Sequence, residues 1–320
     1  MQKHKSRYFD FSYLPVIFTL AWPTMLEQIL GTAIQYIDTA MVGNLGTEAM
    51  AAVGSTSTVS WLFVSSISAF GVGFLAYISQ ARGRGDEERA KRAVMQAIIT
   101  VIVLGTLFTV LTVGVSKYVP KWMNVDPSIR DLASRYFFIT YLAMLPRSAN
   151  MIMGTVLRAS GDTKTPMRIG IGVNVINLVM NYLLINPTRT ISLLGLEFTM
   201  PGAGMGVIGA AVASVISFIY GGLAMVISVF RHKEISPKGL PFKIDMDIMK
   251  PCLRTAIPYM FQRFGSSLGF VVFASFDDGS GLKDECEKIP AFILRFWKRR
   301  EGQELDENAE FEEPVIRWCN

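Results

Sequence analysis

Long apolar runs dominate this sequence and constrain its fold more than any other feature. Each holds about 20 or more mostly apolar residues, enough for a helix to cross a hydrocarbon core of about 30 Å. Six such runs occupy residues 15–42, 52–80, 93–116, 132–157, 166–186 and 204–230. A seventh, at 251–276, begins in the same way and loses its apolar character toward its end.

These runs predict membrane-spanning helices, because lipid offers the backbone no hydrogen-bonding partner and only helices and closed barrels satisfy every peptide group internally. The runs are too long and too uniform for barrel strands, which alternate between apolar and polar residues. A composition that is 51% hydrophobic agrees with this class. We therefore expect an all-α integral membrane protein with a six-helix transmembrane lobe and a partial or complete seventh helix.

The distribution of lysine and arginine predicts the orientation in the membrane. Basic residues concentrate in the N-terminal segment and in the loops after the second, fourth and sixth runs, and such segments face the cytoplasm. One intervening loop, SKYVPKWMNVDPSIRDLASR, also carries four basic residues and fits the pattern less well. We expect a multi-pass protein of the plasma membrane, the inner membrane of a bacterium or archaeon, with a cytoplasmic N terminus.

Residues suited to enzymatic or metal chemistry are scarce in the apolar runs. The cysteines have no paired spacing, and both histidines lie in segments that flank the runs. These residues are Cys252, Cys286, Cys319, His4 and His232. The sequence therefore predicts no enzyme, no metal centre and no cofactor, and nothing in it predicts nucleic-acid binding.

Three glycines, Gly204, Gly206 and Gly209, have the G-x-G-x-x-G spacing of a dinucleotide-binding loop. Such a loop requires a preceding strand within a βαβ unit, and no such strand is predicted. The glycines are expected instead to open the sixth run, where small residues allow helices to approach closely in lipid.

Polar residues in the first run form one stripe. Thr24, Glu27, Gly31, Gln35 and Asp38 follow one another at helical spacings and therefore share a face. A charge inside the membrane costs about 2.5–3.5 kcal/mol on insertion scales and must face protein or water. Each acid either lines a cavity or is satisfied by a neighbouring helix. We favour the cavity for Asp38, and both interpretations stay open for Glu27.

Asparagines form a second stripe in the fifth run. Asn174, Asn177 and Asn181 stand three and four residues apart and share a helical face. Such amides could bind one helix to another. They could also line a cavity with Asp38, where they would supply oxygen ligands to a hard cation or hydrogen bonds to the carboxylate. We favour the cavity.

Several segments together resemble the multidrug and toxic compound extrusion (MATE) transporters, which are cation-coupled antiporters. The resemblance extends over residues 12–276. Its motifs are LAWPTMLEQ, IDTAMVGNLG, ISQARGRGDEERA, LRASGDTKTPM, NLVMNYLLI and GVIGAAVAS. It implies twelve helices in two six-helix lobes, which a pseudo-twofold axis along the membrane normal relates.

The resemblance also implies roles for individual residues. Asp38 matches the aspartate that family members use for proton or sodium coupling, and Asn177 matches an asparagine that supports it. Asn181 stands where some relatives carry a second acid, and this departure leaves the coupling ion open between Na⁺ and H⁺. The predicted cavity residues are Asp38, Asn177, Asn181, Asn174, Gln35, Glu27 and Ser214.

An internal repeat relates the first and seventh runs. Residues 20–28 (LAWPTMLEQ) and 255–263 (TAIPYMFQR) place a small residue, a bulky residue and a proline in register. Parallel repeats of this kind occur in transporters. Pro23 and Pro258 each remove an intrahelical hydrogen bond, which predicts a kink in both helices. The seventh run is expected to be the first helix of a second lobe.

These features divide the chain into five segments. We expect a cytoplasmic N terminus at 1–14, the six-helix lobe at 15–230, an inter-lobe linker at 231–250, the start of a truncated second lobe at 251–276, and a charged, disordered tail at 277–320. The tail holds nearly half of the acidic residues and no run able to span a membrane. We interpret it as a truncated or frame-shifted reading of a longer gene.

The predicted function is export of small organic, cationic drugs or metabolites in exchange for Na⁺ or H⁺ by a truncated transporter. One alternative is a lipid-linked sugar flippase of the same superfamily, which a cavity rich in arginine and lysine would favour; the sequence does not indicate such a cavity. A second alternative is an inactive fragment or a noncatalytic membrane protein. The expected partners are the small-molecule substrate and the lipid bilayer, and no oligomer is expected.

Overall fold

The structure is a computed structural model that describes residues 14–123, 125–193 and 196–275. Residues through Arg263 belong to one compact unit, and the described part of a second unit is the end of one helix, from Phe264 onward. The elements in chain order are α1 (Leu14–Gly43), α2 (Thr47–Gly83), α3 (Glu87–Val115), α4 (Val119–Trp122), α5 (Arg130–Leu142), α6 (Met144–Ala159), α7 (Lys164–Ile185), β1 (Pro187–Leu193), β2 (Leu196–Ala203), α8 (Val207–Arg231) and α9 (Met246–Ser275).

Each predicted apolar run is mainly helical over the residues that the structure describes, and the all-α membrane class is confirmed. Among the described residues, four helical stretches are long and apolar enough to cross a membrane: Phe63–Gly83 of α2, and the whole of α3, α7 and α8. Pro23 lies inside α1 and Pro258 inside α9, and both helices continue through these positions. The kinks stay a prediction. The predicted tail at 277–320 lies outside the described residues.

The fourth apolar run is not a single helix, and that expectation was wrong. It consists of α5 and α6, which meet at Ala143. The cause is Pro146, which has no peptide N–H to donate to the carbonyl of Leu142 and whose ring crowds that carbonyl. The next residue, Arg147, donates its peptide N–H to the Ala143 carbonyl over 3.0 Å and begins the new helical ladder.

The connection between α8 and α9 is shorter than the predicted linker at 231–250. Helix α9 begins at Met246, where charged residues hide its start in the hydropathy pattern. One side chain of α3 holds the connection: Gln96 donates from Nε2 to the Lys243 carbonyl over 2.8 Å, and it accepts from the Asp245 peptide N–H over 3.1 Å. These bonds attach the base of α9 to the six-helix lobe.

The loop after the fifth run forms an antiparallel hairpin of β1 and β2, which the sequence analysis did not predict. Strand β2 directly precedes the glycines of the G-x-G-x-x-G match. Its only partner in the described sheet is β1, so this is not the βαβ unit that a dinucleotide loop needs. Gly206 precedes α8 with a φ of 56°, a left-handed conformation that glycine adopts without strain.

Buried apolar side chains form two clusters. The larger one joins all the helices from α2 to α9, and its bulkiest members include Phe74, Phe137, Tyr141 and Ile152. The smaller one joins the neighbouring ends of α1, α2, α7 and α8. Lipid tails are as apolar as these side chains, so the clusters stabilise the fold through close packing more than through removal from water.

Glycines bring α8 into backbone contact with two neighbouring helices. A Cβ atom on Gly209 would lie 2.5 Å from the Leu184 carbonyl oxygen of α7, which confirms the predicted role of small residues there. A Cβ atom on Gly222 would collide with the Pro146 carbonyl oxygen of α6. Helix α8 is therefore held directly against α6 and α7, and its side chains reach the space between them.

Candidate substrate and ion site

A cavity of about 650 Å³ lies between α1, α2, α5, α6, α7 and α8. Its size falls within the range of small-molecule pockets, about 300–1,000 Å³. Apolar and aromatic groups line much of it, together with polar groups from all of these helices. Six of the seven predicted cavity residues line it: Gln35, Asp38, Asn174, Asn177, Asn181 and Ser214.

Asp38 is the acidic group of this cavity, and asparagines of α7 hold it. Asn181 donates from Nδ2 to Asp38 Oδ1 over 2.7 Å. The same Nδ2 lies 3.2 Å from Oδ1 of Asn177, one helical turn away. Both asparagines are buried, while Asp38 keeps part of its surface accessible. The spacing that put these amides on one face of α7 thus aims them at a single carboxylate.

The Asn177 amide can serve either protonation state of Asp38. Its nearer terminal atom lies 2.8 Å from Asp38 Oδ2. With the nitrogen on that side, Asn177 donates to an ionised carboxylate; with the oxygen there, it accepts from a protonated one. Asn181 Oδ1 is buried without a hydrogen-bond partner among the described residues. The site therefore combines donors for a carboxylate with amide oxygens for a proton or a cation.

Glu27 does not line the cavity, and its inclusion among the predicted cavity residues was wrong. It lies on the same face of α1, but Arg158 of α6 donates from Nη2 to both of its carboxylate oxygens over 2.8 and 2.7 Å. The structural alternative describes Glu27 correctly. The sequence analysis missed Arg158 as its partner, because it used that basic segment for topology and for the family resemblance and did not consider its side-chain contacts.

Arg147 lines the cavity, and the sequence analysis missed it. The carbon of its guanidinium lies 4.7 Å from the centroid of the Phe218 ring on α8. The signal was present, since Arg147 is an ionisable residue inside the fourth apolar run and meets the criterion that selected Asp38. One arginine therefore lines the cavity, and no lysine does among the described residues, so the prediction that the cavity is not rich in basic residues stands.

A bundle of membrane helices around a carboxylate and facing amides is typical of secondary transporters. A comparison with protein-family models gives the same class. The model described as MatE matches residues 23–183, from the first turns of α1 to the last turn of α7. This chain belongs to the MatE family.

Individual relatives agree with this assignment. The probable multidrug resistance protein NorM of Thermotoga maritima is 28% identical over 258 residues, which cover 80% of this chain and 53% of the relative. The probable multidrug resistance protein YpnP of Bacillus subtilis is 26% identical, over 81% of this chain and 55% of the relative. The chain thus spans about half the length of the curated relatives it matches.

A solved structure shows the same fold. A MOP superfamily transporter from Pyrococcus furiosus superposes with a TM-score of 0.72 at 22% sequence identity. The superposition covers 85% of this chain and 59% of that structure. An outward-facing MATE family transporter of the same superfamily gives a TM-score of 0.70 over 80% of this chain.

Proposed function

We propose that this chain carries the first lobe of a cation-coupled antiporter that exports small organic molecules, with Asp38 as the coupling carboxylate. The observation that carries the proposal is the 2.7 Å hydrogen bond from Asn181 to Asp38 inside the cavity. The names of the two relatives described above support efflux, since each is called a probable multidrug resistance protein. The N terminus is proposed to face the cytoplasm on the basis of the basic loops.

Neutral partners leave the charge of Asp38 available for coupling. Amides bind a carboxylate without cancelling its charge, so a proton, a sodium ion or a cationic substrate can still compete for it. The oxygens of Asn177 and Asn181 are hard ligands that suit Na⁺, and the reversible Asn177 amide suits H⁺ equally well. The coupling ion is proposed as one of these two.

The test measures competition between ion and substrate at equilibrium, because a single lobe can be examined in this way without transport. The full chain in detergent is titrated with a cationic aromatic dye across pH and across Na⁺ concentration. Dye affinity should fall as the coupling ion binds, and the ion's affinity should fall equally as dye binds, because linkage is reciprocal. Asp38→Asn should abolish the competition with either ion.

The matched control is Glu27→Gln, which removes the other acid of the same helical face. That variant should retain the competition, because Arg158 already neutralises Glu27. Undiminished competition in Asp38→Asn would refute the assignment of the coupling carboxylate.

A noncatalytic membrane protein is the second candidate. The cavity and its polar groups would equally suit a membrane protein that binds small molecules without moving them. Ion-linked dye binding in detergent combined with no dye movement across proteoliposomes would support this candidate for the chain by itself.

A further inference from the structure

Arg147 is the charged group of the cavity that the proposed coupling does not use. We propose that its guanidinium is a specificity-determining group of this cavity, which binds the acidic group of those substrates that carry one. The proposal rests on the proposed function in one respect, that the cavity is a substrate site.

The position of Arg147 is a costly place for a charge. It lies in the first turn of α6, and the helix continues for twelve residues to Ala159, about 18 Å at 1.5 Å per residue. That distance from the helix end places it well inside a hydrocarbon core of about 30 Å. An ionisable residue at such depth, facing a cavity, is expected to bind an ion, a substrate or a charged partner.

The backbone that carries Arg147 is clamped between two helices. On one side, a Cβ atom on Gly105 of α3 would lie 2.9 Å from the Cα atom of Leu145. On the other side, a Cβ atom on Gly222 of α8 would collide with the carbonyl oxygen of Pro146. Both neighbours approach as closely as glycine permits, so the guanidinium extends from a fixed turn.

The side chain has a stacking partner but no acceptor. The Arg147 guanidinium lies over the Phe218 ring, a contact that uses the face of the group and leaves its in-plane N–H donors available. Among the residues that the structure describes, none accepts a hydrogen bond from it or forms an ion pair with it, including Asp38. Arg158, by contrast, forms an ion pair with the carboxylate of Glu27.

The cavity therefore holds two separate and opposite charges. A zwitterion with a basic group near Asp38 and an acidic group near Arg147 would complement both. The aromatic side chains of Trp61, Tyr136 and Phe218 provide surfaces for a ring system. A volume of about 650 Å³ suits a compact aromatic molecule better than a long lipid chain.

The test compares two dyes that differ only at the acidic group. The full chain in detergent is titrated with a rhodamine that bears a free carboxylate and with the methyl ester of the same rhodamine, and fluorescence anisotropy reports each affinity. Arg147→Gln should lower the affinity ratio of acid to ester about tenfold, because a bidentate guanidinium–carboxylate contact is lost. Arg147→Lys should restore part of the ratio, because it keeps the charge but not the fork.

The matched control is Arg135→Gln, which removes an exposed arginine of α5 that pairs with Asp131. This control should leave both affinities unchanged. An unchanged ratio in Arg147→Gln, or failure of the wild-type chain to bind either dye, would overturn the proposal. Displacement of the acid dye by dodecyl phosphate but not by benzoate would also overturn it, since it would indicate a lipid headgroup site.

The two proposals fail separately in these experiments. Asp38→Asn should lose the dependence of binding on pH or Na⁺ and should keep the preference for acid over ester. Arg147→Gln should do the reverse. Loss of both properties in either variant contradicts the assignment of separate roles and indicates a single coupled site.

Discussion

Two acids on one face of α1 have different kinds of partner, a cation for Glu27 and neutral amides for Asp38. Glu27 and Asp38 are eleven residues apart, about 16 Å along the helix axis. Arg158 of α6 binds Glu27 through both carboxylate oxygens, while amides of α7 bind Asp38. The two acids therefore look alike in the sequence pattern but have different surroundings in the structure. What the facing helix presents decides whether a membrane carboxylate is neutralised or left available.

The difference has an energetic side. Glu27 and Arg158 neutralise each other's charge. Both side chains are largely buried, 21% and 25% exposed. Asp38 is bound by neutral amides, and when it is ionised their hydrogen bonds compensate for lost solvation by about 1.5–3 kcal/mol each. The first arrangement suits a structural contact, and the second suits a group that exchanges an ion.

The largest effect is expected from removing the donor to Asp38. Asn181→Leu deletes the 2.7 Å hydrogen bond, and the affinity of the coupling ion should change about tenfold to a hundredfold, the equivalent of about 1.5–3 kcal/mol. Titration of dye binding against pH and Na⁺ measures it. The yield of folded protein should change less than ion linkage. Equal losses in both would support the view that Asn181 merely joins two helices.

Breaking the other pair should reduce stability. Glu27→Gln leaves Arg158 without a charged partner, and we expect the free energy of unfolding in detergent to fall by about 1–3 kcal/mol, less than for a fully buried pair. A double-mutant cycle with Arg158→Gln isolates the pairwise contribution. An interaction energy near zero in that cycle would remove the distinction between the two acids.

Two glycines with different surroundings allow a comparison of the effect of an added methyl group on stability. A Cβ atom on Gly170 of α7 would lie 3.2 Å from both Cγ and Oε1 of Glu27, so Gly170→Ala should press Glu27 away from Arg158 and cost about 1 kcal/mol. Gly31, which lies between Glu27 and Asp38 on α1, has no heavy atom within 4 Å of an added Cβ. Gly31→Ala should therefore stabilise α1 slightly, by up to about 1 kcal/mol. Thermal unfolding of the two variants checks the opposite signs.

The smallest effect on the free energy of unfolding is expected from neutralising Asp38. Asp38→Asn keeps the volume of the side chain and removes a charge that is costly in the membrane, so the free energy of unfolding should change by about 0.5 kcal/mol or less. Denaturant titration beside Glu27→Gln is the measurement. A loss as large as that of Glu27→Gln would mean that Asp38 is as structural as Glu27.

Much of the site was predictable because helical periodicity is local. Gln35 and Asp38 on α1, and Asn174, Asn177 and Asn181 on α7, needed only their spacings to be placed on common faces, and the structure brings both faces to one cavity. Periodicity could not say which acid of α1 meets those amides. That depends on how α6 and α7 cross α1, which is a property of packing between distant segments.

Three features of the fold were not predicted from hydropathy or periodicity. Hydropathy showed one fourth run because it does not register the hydrogen bond that Pro146 removes, and the break at Ala143 became visible only in the fold. The antiparallel pairing of β1 with β2 was not predicted, because both strands lie in a segment that was considered only as a loop between two apolar runs. The residues just before α9 are bound by Gln96, more than a hundred residues away in sequence.

By itself, the sequence determined that this chain is a bundle of membrane helices with a carboxylate on one helix and amides on another, because lipid leaves the backbone few choices and helical spacing assigns faces. Only the tertiary structure decided that Glu27 is paired, that Asp38 is held by neutral groups and that Arg147 enters the same cavity. These outcomes depend on distances between side chains far apart in sequence, and the packing of α1 against α6 and α7 sets those distances.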